Sequence, residues 1–99
     1  MSLTSEDMQK AVDVFINEFE DKYWPPLSMV AALVEEVGEL AREINMKELG
    51  RIKSVEKIKE ELGDVLFATI CIANYYGISI SESLLSTIEK YKKRDLKSL

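Results

Sequence analysis

Glu61-Leu62-Gly63-Asp64-Val65-Leu66-Phe67-Ala68-Thr69-Ile70-Cys71-Ile72-Ala73 is the stretch that decides how this chain folds. From Leu62 to Ala73 the only charge is Asp64. A helix that is apolar nearly all round belongs at the centre of a helical assembly. The stretch extends back to Ser54, a suitable N-cap, and forward to Tyr76, where Gly77 stands ready as the C′ residue. The expected third helix therefore covers about Ser54 to Tyr76. Its apolar core, Val65 to Ala73, is too short to span a bilayer.

Working outward, three more helices and no strand are expected. Upstream, Val30, Leu33, Val34, Val37, Leu40, Ala41 and Ile44 form the apolar stripe of a second helix, from about Leu27 to Leu49. Gly50 ends it. Earlier still, Met8, Ala11, Val12, Phe15, Ile16 and Phe19 recur at i, i+3, i+4 and predict a buried stripe on a first helix from about Ser5 to Lys22. Pro25 and Pro26 stop that helix and leave Trp24 in the connection. Downstream, Ser79 and Glu82 fit a capping box for a fourth helix. It carries Leu84, Leu85, Ile88 and Tyr91 inward. The fold class is thus all-α, a four-helix protomer in one domain spanning residues 1–99.

Acidic residues interrupt this apolar plan at two places. Glu35-Glu36-Val37-Gly38-Glu39 lies on the second helix, and Glu61-Leu62-Gly63-Asp64 on the third. Carboxylates at i, i+3 share a helix face. At 100° per residue, Glu36, Glu39 and Glu43 fall along one flank of their helix. Facing pairs would crowd several like charges into one small volume, which a hard divalent cation with oxygen ligands would relieve. The structural alternatives are a solvated Glu-rich face and an ion pair from Asp64 to Lys57 or Lys59. Against them, Asp is a poor mid-helix residue, and a charge among core residues is costly unless it is paired or metal-bound. Gly38 and Gly63 each cost roughly 1 kcal/mol relative to Ala. Each precedes one of the acids, which suggests a close helix approach with room beside the carboxylates.

Composition narrows the chemistry further. The chain has no His, so Glu-x-x-His di-iron sites, His-based zinc sites and a His general base are excluded. An all-carboxylate set selects Mg²⁺ or Mn²⁺. Mg²⁺ bound in this way keeps waters and recruits substrate phosphates. The single Cys71 rules out an internal disulfide and reads as a small core residue. The net charge of −5 argues against general nucleic-acid binding. The first residues are polar and acidic, with no sign of a signal peptide, so a cytoplasmic protein without membrane attachment is expected. Charge is uneven: Lys90, Lys92, Lys93, Arg94 and Lys97 against Asp95 give the last ten residues +4, leaving −9 for residues 1–89. Lys90, Lys93 and Arg94 share roughly one side of the fourth helix and are candidates to hold substrate phosphates. The plainer reading is cations favouring a helix C-terminus.

At these residues the sequence resembles the MazG family of nucleoside triphosphate pyrophosphohydrolases. The family pattern, E-E-x-x-E followed by E-x-x-D, reads here as Glu35-Glu36-x-x-Glu39 and Glu61-x-x-Asp64, within LVEEVGELAREI and KEELGDVLFATI. The likeness continues through NYYGISISESL into EKYKKRD, from Trp24 to Arg94. The resemblance implies an all-α protomer acting as a homodimer or homotetramer. It implies hydrolysis of a nucleoside triphosphate to the monophosphate and pyrophosphate, serving nucleotide-pool house-cleaning. It also implies Mg²⁺ held by Glu36, Glu39, Glu61 and Asp64. Glu35 or Glu39 would take the proton of the attacking water. Trp24, Asn74 and Tyr75 are candidates to touch base or sugar. The rival readings are a non-catalytic helical oligomerisation module and a divalent-metal buffer.

Overall fold

The computed structural model describes residues 2–94. Four helices form, with no strand among these residues: α1 (Ser5–Ile16), α2 (Pro26–Glu48), α3 (Glu56–Tyr75) and α4 (Ile80–Lys93). Local chemistry sets most of their ends. Thr4 and Asp7 close a reciprocal capping box on α1. Pro26 opens α2 at N1, where its missing N–H costs nothing. Gly50 and Gly77 follow α2 and α3 at φ 75° and 66°. The Arg51 and Ile78 amides donate back to the Met46 and Ala73 carbonyls at 3.0 and 2.8 Å. Both ends are therefore Schellman closures, which need a left-handed residue at C′.

Two ends differ from the sequence-based expectation. Helix α1 stops at Ile16, not Lys22. The Asn17 side-chain amide donates to the Asp13 carbonyl at 2.9 Å, competing with helix propagation. Continuing the helix would also place Glu18, Glu20 and Asp21 at its negative end. Helix α3 begins at Glu56, with Val55 as N-cap. The Ser54 hydroxyl instead accepts from the Glu56 amide at 3.0 Å, a local turn that holds the preceding loop. At α4 the Ser79 hydroxyl caps the Glu82 amide at 3.2 Å, the N-cap half of the expected box.

Helices α2 and α3 form the most extensive packing pair; α1 lies on α3, and α4 lies against α1. The buried apolar set is small: Met29, Ile70, Cys71 and Ala73. Helix α3 is central in that both α1 and α2 pack on it, yet only its C-terminal half is buried. Leu62, Leu66 and Phe67 are 55, 48 and 38% exposed. The α1 stripe is likewise incomplete: Met8, Val12 and Ile16 are half-buried, whereas Ala11, Phe15 and Phe19 are exposed. The accessible surface is 7919 Å² for an 11.3 kDa chain, against the ~5,700 Å² that the size scaling of compact monomers gives.

The close helix approach expected at Gly38 and Gly63 is absent within the protomer. A Cβ at either would meet nothing within 4 Å. Gly38→Ala and Gly63→Ala should therefore each stabilise the metal-free protomer by ~0.5–1 kcal/mol. Urea unfolding of the two variants measures this, and a loss of stability would show that something covers these positions in solution.

Candidate metal centre and adjoining cavity

Glu36 stands mid-way along α2; Glu61 and Asp64 stand one turn apart near the start of α3. The α2–α3 packing brings them together: one carboxylate oxygen from each lies within 4.8 Å of the others. Glu36 and Glu61 are half-buried, and Asp64 is exposed. Partial loss of hydration pushes the Glu36 carboxyl above its usual range, reinforced by the charges of Asp64, Glu35 and Glu39. The Glu61 carboxyl moves the same way, again first through lost hydration and then through Asp64, Glu36 and Glu39. Glu39 thus lies outside the trio but close enough to act on two of its members. Glu35 is exposed and acts on Glu36.

Among the described residues no cation is paired with Glu36, Glu61 or Asp64. The ion pairs among the described residues are Arg42–Glu43, Lys57–Glu60 and Lys92–Glu89. Lys57 pairs with Glu60, so the pairing of Asp64 with Lys57 or Lys59 does not occur. Asp64 also does not sit in a dry core, as its apolar sequence neighbours suggested. Its neighbours Leu62 and Leu66 are themselves exposed, and the electrostatic cost falls on Glu36 and Glu61. Three hard oxygen donors, close together and without a counter-charge, fit a divalent cation of the Mg²⁺ or Mn²⁺ type.

Glu36 and Asp64 also edge a cavity of about 460 Å³, within the range of small-molecule sites. Five of its fourteen lining residues are aromatic: Phe15 from α1, Phe19, Tyr23 and Trp24 from the connection that follows it, and Phe67 from α3. Phe15 meets Phe19 and Phe67 edge-on, with centroids 5.2 and 6.1 Å apart. Cys71 lines the cavity too; burial pushes its thiol up, which disfavours the nucleophilic thiolate. The sequence reading missed Phe15, Phe19, Tyr23 and Phe67 as site residues. The available signal was the cluster Asn17, Glu18, Glu20 and Asp21, which ends α1 early and frees the two phenylalanines from a continuous stripe.

Of the three residues considered for base or sugar contact, only Trp24 lines this cavity. Asn74 is engaged elsewhere. Its amide donates to the Gln9 carbonyl and to the Tyr23 hydroxyl, both at 2.9 Å, and its oxygen accepts from Gln9 Nε2 at 2.8 Å. Tyr75 is exposed and packs edge-on against Tyr76. Lys90, Lys93 and Arg94 lie at the end of α4 and do not line the cavity. Lys90 and Arg94 flank the Tyr91 ring at 5.2 and 5.8 Å. Asp95 and Lys97 fall outside the described residues.

Fold and site together define an all-α protein with a carboxylate cluster at the edge of a cavity partly walled by aromatic rings. The chain belongs to the MazG family: the model of the MazG nucleotide pyrophosphohydrolase domain matches residues 25–98. The uncharacterised protein YpjD of Bacillus subtilis (strain 168) is 41% identical over 96 residues, covering 93% of this chain and 86% of its own. A crystal structure of YpjD, described as a candidate pyrophosphatase, superposes with a TM-score of 0.82 at 39% identity, covering 95% of this chain and all of that one. The Bacillus-conserved MazG protein, described as a nucleotide pyrophosphohydrolase, is 44% identical with the same TM-score, covering 95% of each chain. The family and these structures make the chain a hydrolase of the pyrophosphohydrolase type.

Proposed function

We propose that this chain hydrolyses nucleoside triphosphates to the monophosphate and pyrophosphate, clearing surplus or non-standard nucleotides from the cytoplasmic pool. The observation that carries the reading is the Glu36–Glu61–Asp64 cluster, unpaired and at the edge of an aromatic cavity. Those three carboxylates, with Glu39 beside them, would hold Mg²⁺ or Mn²⁺. When bound, the ion would neutralise phosphate charge and lower the pKa of a coordinated water. The chain's own part is positioning and proton transfer. The ring-lined cavity receives base and sugar and thereby places the triphosphate over the carboxylates. Water attacks the α-phosphorus, the α–β anhydride bond breaks and pyrophosphate leaves. The carboxylate of Glu35 or Glu39 takes the water's proton. A panel of standard and modified nucleoside triphosphates with Mg²⁺, resolving nucleotide products from pyrophosphate, tests the reaction. Release of orthophosphate alone, or no turnover of any member, would overturn it.

The surface excess and the exposed Leu62, Leu66, Leu84 and Leu85 favour a homodimer or homotetramer. Light scattering at working concentration should give at least twice 11.3 kDa; a monomer would contradict this. An assembled but inactive protein that takes up no Mg²⁺ would instead support the rival reading, a helical interaction module.

The C-terminal cations complete the proposal. Lys90, Lys93 and Arg94 line no part of this protomer's cavity, so their phosphate role falls to α4 of a neighbouring copy. Lys90→Ala and Arg94→Ala should raise KM roughly tenfold, the scale of one charge-assisted hydrogen bond. Added salt should weaken wild-type binding. If they only complement the helix dipole, each change costs ~0.3–1 kcal/mol of stability and leaves KM alone. Kinetics and unfolding of the same variants separate the two.

A further inference from the structure

One wall of the cavity is not helical. It is the connection between α1 and α2, and Lys22, Tyr23 and Trp24 line the cavity from it. Lys22 holds φ 51°, the only left-handed non-glycine backbone among the described residues. A side chain longer than glycine adopts that conformation only where its surroundings impose it. The next residue supplies the restraint. The Tyr23 hydroxyl donates to Asp13 Oδ1 at 2.7 Å and accepts from Asn74 Nδ2 at 2.9 Å. Asn74 is itself fixed by two hydrogen bonds to Gln9. One phenol thus ties the connection to α1 and to α3 together. Asp13 and Asn74 lie outside this cavity, so the hydroxyl is committed to the scaffold and the ring is left for the ligand. Burial, and then the bond to Asp13, push the phenol up to about 12, so it remains a donor at any working pH.

Resting on the nucleotide reading of the site, we propose that Tyr23 is a specificity-determining residue. Anchored by Asp13 and Asn74, it fixes the wall against which the nucleoside half of the substrate packs. Because its polar atom is already committed, Tyr23 acts on a base by ring shape and stacking, and polar contacts from this wall are left to Asp21 and Lys22. Tyr23 therefore contributes to nucleoside affinity and leaves the chemistry at the α-phosphorus to the carboxylates.

The only tryptophan of the chain, Trp24, stands next to Tyr23 on the same wall and reports on it directly. The experiment is a fluorescence titration of the full chain with the four deoxynucleoside monophosphates in the presence of Mg²⁺. It is run on wild type, Tyr23→Phe, Asp13→Ala and Asp13→Asn. Wild type should respond saturably to at least one of them. Tyr23→Phe keeps the ring and loses the anchor, so its Kd should rise about tenfold, the equivalent of one net hydrogen bond. Asp13→Ala should match it, whereas Asp13→Asn keeps an acceptor oxygen for the hydroxyl and should restore binding. With a triphosphate that is turned over, the same variants should raise KM and leave kcat nearly unchanged. No Trp24 response to any monophosphate in wild type would overturn the proposal, as would Tyr23→Phe binding like wild type. If Tyr23→Phe does not fold, the two Asp13 variants decide alone. Wild type that binds a monophosphate but hydrolyses no triphosphate would defeat the hydrolysis reading and leave the Tyr23 assignment standing.

Discussion

Asp64→Asn and Glu61→Gln are each expected to remove turnover, by at least about 100-fold, while the helical fold persists. Both residues sit within the trio whose oxygens lie inside 4.8 Å, so on the metal-site reading either change removes one of three proposed charged ligands. Neither is needed for packing: Asp64 is exposed and Glu61 half-buried. The direction of the stability effect follows from titration. Glu36 and Glu61 have folded-state values raised above the ordinary carboxylate range. An acid raised in this way favours folding most when protonated, below its unfolded value, and loses that contribution as pH rises through its folded value. At neutral pH the metal-free protein therefore carries the cost of lost hydration at both carboxylates together with their like-charge repulsion. Removing one charge relieves it, so the metal-free melting temperature should hold or rise. Circular dichroism melts and pyrophosphate release on the same samples check both halves. Full activity in either variant would sink the metal-site reading.

Mg²⁺ should raise the melting temperature of the wild type substantially. The unfolded chain does not assemble the trio, so binding is coupled to folding by mass action. At a free concentration 100 times Kd the gain is ~2.7 kcal/mol. For a domain of this size, 1 kcal/mol moves Tm by roughly 4–8 °C, so a shift of roughly 10–20 °C is expected at saturation. The shift should fade as pH falls through the raised range of Glu36 and Glu61, because the ligands must be deprotonated. Asp64→Asn should lose most of it. A wild-type Tm unchanged up to ~10 mM Mg²⁺, with and without a non-hydrolysable triphosphate, would remove the cation from the site.

The parts of this molecule that were legible in the sequence are those governed by local chemistry. Gly50 and Gly77 mark helix ends because only a left-handed C′ closes a Schellman motif. Pro25 and Pro26 were read as the stop of α1, but α1 ends at Ile16, nine residues before Pro25, and the two prolines instead open α2. The acidic pairs were legible because i, i+3 spacing fixes a shared face and the absence of His fixes the ligand class. What escaped depends on tertiary arrangement. The α1 stripe promised burial for Phe15 and Phe19, but the helix ends at Ile16, and both rings line a cavity that no periodicity reveals. Asp64 read as a charge inside a core because its neighbours are apolar; that face of α3 is open in the protomer. Gly38 and Gly63 suggested two helices in close contact, and the space beside them is free. Tyr23 gave no signal at all, since its role comes from Asp13 and Asn74, 10 and 51 residues away.

The uneven burial of α3 has a consequence for motion. Ile70, Cys71 and Ala73 are buried, whereas Glu61 and Val65 are half-buried and Leu62, Asp64, Leu66 and Phe67 are exposed. A helix buried at one end only is expected to open in two steps, the exposed end before the buried one. Glu61 and Asp64 sit on the more exposed end and Cys71 on the buried one. The cavity is thus expected to have a stiff floor at Cys71 and a more adjustable rim at Asp64 and Phe67.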